Sequence, residues 1–136
     1  MQEKYEEIIK KAGLRVTPSR LAVLRTLHAL NCPIDVQQIE NQLKSQGQTA
    51  DKVTIYRILE KYVQLGIVKT VFLKEDKLRY ELSDEHHHHL VCKNCGKIQA
   101  INGSWLDSAE KFIEKQYKFV VSEHTLEFFG MCAACR

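Results

Sequence analysis

Two Cys-x-x-Cys pairs, Cys92/Cys95 and Cys132/Cys135, bracket the C-terminal third of this 136-residue chain, and they limit its fold more than any other feature. Each pair offers two sulfurs from one tight turn. Together they supply four, enough to close a tetrahedral zinc site. The 36 residues between the pairs contain strand-forming and helix-forming stretches. A metal held by all four thiolates would clamp the end of the chain onto the first strand of its domain. In a domain of only about 50 residues such a brace supplies much of the stability. A redox role is the weaker reading, because thioredoxin-type motifs open a helix after a strand and do not come as a matched pair.

Just before Cys92 stand four consecutive histidines, His86 to His89, continuous with the β-prone Leu90-Val91-Cys92. Side chains alternate faces along a strand, so His86 and His88 point one way, His87 and His89 the other. One strand can therefore feed two separate metal sites. His124 and Asp107 are the evident partners for one histidine pair, and Glu81 for the other. Histidines with a carboxylate suit zinc, ferrous iron, manganese or nickel. Helix-dipole stabilisation is the plain alternative for Asp107.

Upstream, glycines and capping residues divide the chain into helices. Residues 3–12 read as a helix ending at Gly13, and Thr17-Pro18 reads as an N-cap followed by N1. The second helix runs to about Ala29, with Leu21, Leu24, Leu27 and Leu30 on its apolar face. Asn31-Cys32-Pro33 breaks it, and Asp35 caps a third helix that Gly47 ends. Thr49 is a cap for a fourth helix at about 50–65, with Ile55, Ile58, Leu59, Tyr62 and Leu65 inward. Two β-prone runs, 67–72 and 78–82, flank the charged Lys74-Glu75-Asp76-Lys77 and predict a hairpin. Three helices and a hairpin follow the winged helix-turn-helix order, in which the last helix enters the DNA major groove. Beyond the polar Ser83-Asp84-Glu85, extended segments are expected at 87–92, 97–101, 119–121 and 125–131, with a helix from a Ser104 cap to Tyr117.

The expected fold is thus α+β: a winged helix-turn-helix domain over residues 1–82 and a small metal-binding α/β domain over 83–136. Residues 1–82 carry 14 Lys/Arg against 10 Asp/Glu, whereas 83–136 carry 6 against 7, so the basic excess lies in the first part. That bias is compatible with nucleic acid. No apolar run approaches the roughly 18 residues that span a bilayer. The charged N-terminus does not resemble a signal peptide. A cytoplasmic location is expected, where thiols stay reduced.

Three segments carry a family resemblance. Ala12-Gly13-Leu14-Arg15-Val16-Thr17-Pro18-Ser19-Arg20, then Thr54-Ile55-Tyr56-Arg57, then His86 to Gly96 resemble, in that order, the Fur family of metal-responsive transcriptional regulators. The match covers about residues 5–135. The resemblance implies a homodimer with winged-helix heads, a C-terminal dimerisation domain, and operator DNA as partner. It implies repression of metal-uptake genes when metal is plentiful, with structural zinc on Cys92, Cys95, Cys132 and Cys135. His86, His88, Asp107 and His124 match the set within the dimerisation domain, and Glu81, His87 and His89 match the hinge set. Arg15, Tyr56 and Arg57 match DNA-contacting positions, to which Arg20, Lys52 and Thr54 are added here.

The chain departs from the pattern at the hinge. Many members take a histidine there from the link between the second and third helices, which reads Asn31-Cys32-Pro33-Ile34, and the nearest histidine, His28, is on a helix. A further acidic position is Ala100. Cys32 could substitute as a thiolate, favouring zinc over ferrous iron; an ordinary loop thiol is the plainer reading. The regulatory metal is expected to be Zn2+ or Fe2+, with Mn2+ or Ni2+ as further options. The rival readings are a DNA-binding protein with structural zinc only, and a peroxide sensor of the same family. A metalloenzyme is disfavoured, since the chain has neither H-E-x-x-H nor H-x-E…P-C-x-x-C.

Overall fold

The computed structural model describes residues 2–72, 77–83 and 87–136, with the backbone alone at His87. The expected charged turn at 74–76, the hinge residues Asp84 and Glu85, and His86 lie outside the described residues. The fold is α+β, in two compact units, Met1–Asp84 and Glu85–Arg136.

The first unit contains α1 (Gln2–Lys11), α2 (Pro18–Leu30), α3 (Val36–Ser45), α4 (Lys52–Gln64), β1 (Val68–Phe72) and β2 (Leu78–Leu82). Local chemistry sets the helix ends. Thr17 Oγ1 accepts from the Arg20 N–H at 3.2 Å. Asp35 and Gln38 form a reciprocal capping box, each side chain accepting the other's backbone N–H, at 2.8 and 2.9 Å. Three helices end in the same way. At the first, Leu14 N–H reaches Ile9 O (3.1 Å) and Gly13 N–H reaches Lys10 O (2.9 Å). Gly47 and Gly66 repeat that pair of bonds, which requires the left-handed backbone that glycine adopts without steric cost.

The fourth helix starts later than expected. Asp51, not Thr49, is its N-cap, accepting from Thr54 N–H at 2.8 Å. An ionised carboxylate facing the positive end of a helix is a stronger acceptor than a hydroxyl. Leu65 is the C-cap and 40% exposed, so it leaves the buried stripe of Ile55, Ile58, Leu59 and Tyr62.

These helices enclose one core. Tyr5 and Ile9 from α1, Leu21, Leu24 and Leu27 from α2, Ile39 and Leu43 from α3, and the α4 stripe are joined by Val68 and Tyr80 of the hairpin. Tyr62 is fully buried, and its hydroxyl donates to Arg20 O at 2.8 Å, tying α4 to the start of α2. β1 and β2 pair antiparallel, with Thr70 opposite Tyr80. The α2–α3 link is more ordered than a helix break. Ile34 N–H donates to Tyr80 O (3.0 Å) and Tyr80 N–H to Ile34 O (2.8 Å), so the link runs along the second edge of β2.

The second unit contains β3 (His87–Cys92), β4 (Ile98–Asn102), a 3-10 turn (Ser104–Leu106), α5 (Asp107–Tyr117) and β5 (Glu127–Gly130). The strand order is β4-β3-β5, with β3 antiparallel to β4 and parallel to β5. Parallel neighbours need a long crossover, which α5 provides. Ser104 does not cap α5. Its own N–H is bound by Asn102 Oδ1 at 2.8 Å, and the 3-10 turn intervenes. The expected strand at 119–121 is not formed: Phe119 and Val120 are 65% and 84% exposed and have no backbone ladder within this chain. No residue of α5 is buried.

Two outcomes test this account. Leu24→Ala in the core should cost about 2–5 kcal/mol, and Tyr62→Phe, which removes one buried hydrogen bond, about 1 kcal/mol; both are read from urea unfolding of the helical signal. The Asp51 pKa is lowered, chiefly by the Thr54 backbone N–H. A lowered folded-state pKa stabilises fully above the unfolded value of 3.8 and less as pH falls through the folded one. Amide-exchange protection at the start of α4 should therefore decline below about pH 4, and Asp51→Asn should flatten that decline.

Candidate metal centres and nucleic-acid face

The parallel pairing of β3 with β5 brings the cysteines together. Cys92 ends β3 opposite Gly130, and Cys132 follows two residues later, so both Cys-x-x-Cys turns lie at the same end of the sheet. Each turn closes on its own backbone: Gly96 N–H donates to Cys92 O at 3.0 Å, and Cys135 N–H to Cys132 O at 3.0 Å. Lys93 N–H donates to Gly130 O at 2.7 Å, joining the two turns. The ligand sulfurs of all four lie within 4.8 Å of one another, and Cys95 Sγ stands 3.8 Å from Cys132 Sγ. The edge of a tetrahedron with Zn–S bonds of about 2.3 Å is about 3.8 Å, so this spacing suits zinc.

The electrostatics also suit bound thiolates. Backbone N–H groups of Cys95 and Cys132 favour the Cys92 thiolate and pull its pKa down to about 6. The Cys132 N–H to Cys92 Sγ distance is 3.4 Å. For Cys135, Asn94 pulls down, but the crowded thiols of Cys132, Cys92 and Cys95, together with burial, push its pKa up to about 11. Four negative sulfurs cannot share this space without a cation, and a divalent metal relieves that repulsion.

A second cluster stands on β3, α5 and the segment before β5. His88 and His124 present their Nε2 atoms to each other at 3.0 Å, with ring centroids 4.8 Å apart. His88 is buried. The opposite ring nitrogen of His124, Nδ1, meets the Glu110 carboxylate. Two imidazole nitrogens converging on one point form the start of a metal site with the donor chemistry zinc and iron accept. Asp107 is exposed, one turn before Glu110 on α5. Glu110 was missed in the sequence, although the three-residue spacing that puts both acids on one helix face was readable.

The expected hinge set is divided between the units. In the first, Glu81 is buried and Lys69 Nζ approaches it at 3.3 Å. Burial pushes the Cys32 thiol pKa up, Arg79 draws it down and Glu81 raises it again. Net, the thiol pKa is raised. His28 Nδ1 is engaged by the Tyr5 hydroxyl. In the second unit His89 is buried and sits opposite Ala100 in the β3–β4 register, so an acid at position 100 would stand beside it; alanine offers no ligand.

On the first unit, α4 turns Lys52, Val53, Tyr56 and Arg57 outward, with Val53 and Tyr56 56% and 50% exposed. Thr54 is half-buried. Arg15 is exposed, and its carbonyl accepts from Arg20 Nη1 at 2.6 Å, which holds both arginines beside Thr17. Apart from Val53, this surface is the one singled out in the sequence.

A helical unit with a basic, aromatic helix face is thus followed by a sheet unit bearing clustered thiols and imidazoles. The Ferric uptake regulator family matches residues 11–129, and the chain belongs to that family. It is 33% identical to the ferric uptake regulation protein of Vibrio anguillarum over 129 residues, covering 93% of this chain and 87% of that one. It is 30% identical to the peroxide-responsive repressor PerR of Staphylococcus epidermidis, covering 94% and 85%. The crystal structure of the Vibrio cholerae ferric uptake regulator matches with a TM-score of 0.80 at 31% identity, covering 93% of this chain and 98% of that one.

Replacing Cys132 with Ser should abolish retention of one tightly held zinc per chain, measured as metal content after gel filtration. It should also expose the second unit to proteolysis while leaving the helical unit resistant.

Proposed function

We propose that this protein is a homodimeric, metal-responsive transcriptional repressor whose first unit is a winged helix-turn-helix domain and whose second unit is the dimerisation domain. The observation that carries the reading is the convergence of His88 and His124 in a unit that also holds a four-thiolate cluster. The cysteine set suits permanent zinc, which braces the fold. The imidazole set suits an exchangeable Zn2+ or Fe2+, with Asp107 and, from the sequence, His86 as further candidate donors. Metal there would tie β3 to α5 and to the segment carrying His124, so loaded and empty protein differ in how firmly these elements are joined.

The apolar surface of the second unit supports a second copy as partner. Phe112, Tyr117, Phe119, Phe128 and Met131 are 44–69% exposed, and Val120 more so, in a unit of about fifty residues that buries almost none of its own apolar side chains. Exposure on that scale marks an interface. A dimer would present two copies of α4 to the half-sites of operator DNA. Tyr56 and Lys52 would then reach base edges or phosphates, with Arg57, Arg15, Arg20 and Thr54 setting the register on the backbone.

A second reading, peroxide sensing, is favoured by the similarity to a peroxide-responsive repressor. It is opposed by the hinge, where Ala100 and the histidine-free link leave the donor set short. Mass spectrometry after peroxide treatment of iron-loaded protein separates the two: oxidised His87 or His89 would support it.

The main test is operator binding by the zinc-braced dimer with and without a second metal. Adding Zn2+ or anaerobic Fe2+ should tighten binding by about 5–150-fold, the usual range of allosteric coupling. Unchanged affinity would leave a DNA-binding protein with structural zinc alone. Arg57→Ala should weaken binding and lower the slope of log affinity against log salt by about 1 if it contacts phosphate.

A further inference from the structure

Glu110 makes its contact on the side of the His124 ring that faces away from His88. A carboxylate accepts hydrogen bonds and cannot donate them, so the His124 nitrogen facing it, Nδ1, carries the proton. In the neutral ring the lone pair is then on Nε2, and Nε2 is the atom that stands 3.0 Å from His88 Nε2. The two nitrogens of one imidazole point away from each other. A carboxylate seated on Nδ1 is therefore on the far side of the ring from the point where the two Nε2 atoms converge. We infer that Glu110 is a positioning residue: it fixes the tautomer and orientation of His124 so that Nε2 is ready to bind metal, without being a ligand itself.

The fold supports this division of labour. His124 lies in the segment before β5 that has no helix or strand of its own, so no backbone ladder fixes its orientation. Glu110 lies in the first turn of α5, a regular helix, and is half-buried. The helix thus lends its rigidity to a ring carried on an irregular segment. Carboxylate-to-histidine contacts of this type orient metal-binding rings and raise their basicity, and removing them commonly costs 10–100-fold in metal affinity. Asp107, at the start of the same helix and exposed, remains free to act as the oxygen ligand.

The inference rests on the reading that His88 and His124 hold a metal, and the experiment separates the two. The full chain, with zinc in its cysteine site, is titrated with Co2+ after the His124 tautomer has been read by 15N–1H NMR in the absence of cobalt. Wild type should show the proton on Nδ1. In Glu110→Ala the tautomer should shift toward Nε2–H, and Co2+ affinity should fall about 10–100-fold. X-ray absorption should find the same number of nitrogen and oxygen neighbours around cobalt. Glu110→Gln, whose amide oxygen still accepts a hydrogen bond from Nδ1–H, should stay near wild type in tautomer and affinity. Loss of an oxygen neighbour in Glu110→Ala would make Glu110 a ligand and overturn the proposal, as would an unchanged tautomer. A wild-type protein taking up no Co2+ beyond its zinc would overturn the underlying site reading, while the NMR result would still report on Glu110 alone. Zinc content and circular dichroism of both variants establish that they are folded.

Discussion

The pairing of β3 with β5 is parallel, and most of the second unit depends on that direction. An antiparallel pairing would send Cys92 and Cys132 to opposite ends of the sheet and leave each Cys-x-x-Cys turn with half a site. Parallel pairing also requires a crossover, and that crossover is α5, which brings Glu110 and Asp107 toward the strand that carries His88. The sheet itself is small, four to six residues per strand, and buries little besides His88, His89 and Cys92. Its stability in isolation would be marginal by the usual scaling of core with size. The thiolate cluster compensates by fixing the two strands that share the fewest local contacts in sequence.

Metal sites and core thus have different origins in the two halves of the chain. In the first unit, helix caps and leucine or isoleucine stripes determine structure, and a hydrophobic core closes without help. In the second, the clustered cysteines stand where a core is small, and much apolar surface is left exposed. The cysteine cluster and the imidazole pair use different residues of β3, Cys92 in one and His88 in the other.

How much of this was readable from residues alone follows the range of each interaction. Gly13, Gly47 and Gly66 were legible as helix ends because their role is local, and so were Thr17 and Asp35. The four cysteines were legible because spacing within each pair is a local property and metal chemistry supplies the rest. The cap at Asp51 was misread as Thr49, since two good caps two residues apart are distinguished only by where the helix packs. The strand expected at 119–121 failed for a similar reason: β-prone residues need a neighbouring strand, and none pairs with it among the described residues. Glu110 was missed because its partner is fourteen residues away, across a loop whose path the sequence does not determine. The resemblance pointed to Asp107 as a ligand from the same helix, and it gave no reason to look three residues further on to Glu110.

The edge-to-edge bonds between Ile34 and Tyr80 have a mechanical meaning. Tyr80 reaches into the helical core, whereas its neighbours on β2, Arg79 and Glu81, face the other way and are buried on that side. With β1 on one edge and the α2–α3 link bonded to the other, β2 has no slack along its length. A tug on Glu81 would displace Tyr80, the link and the helices around it as one block. The strand therefore joins Glu81 to the helical core through its neighbour Tyr80.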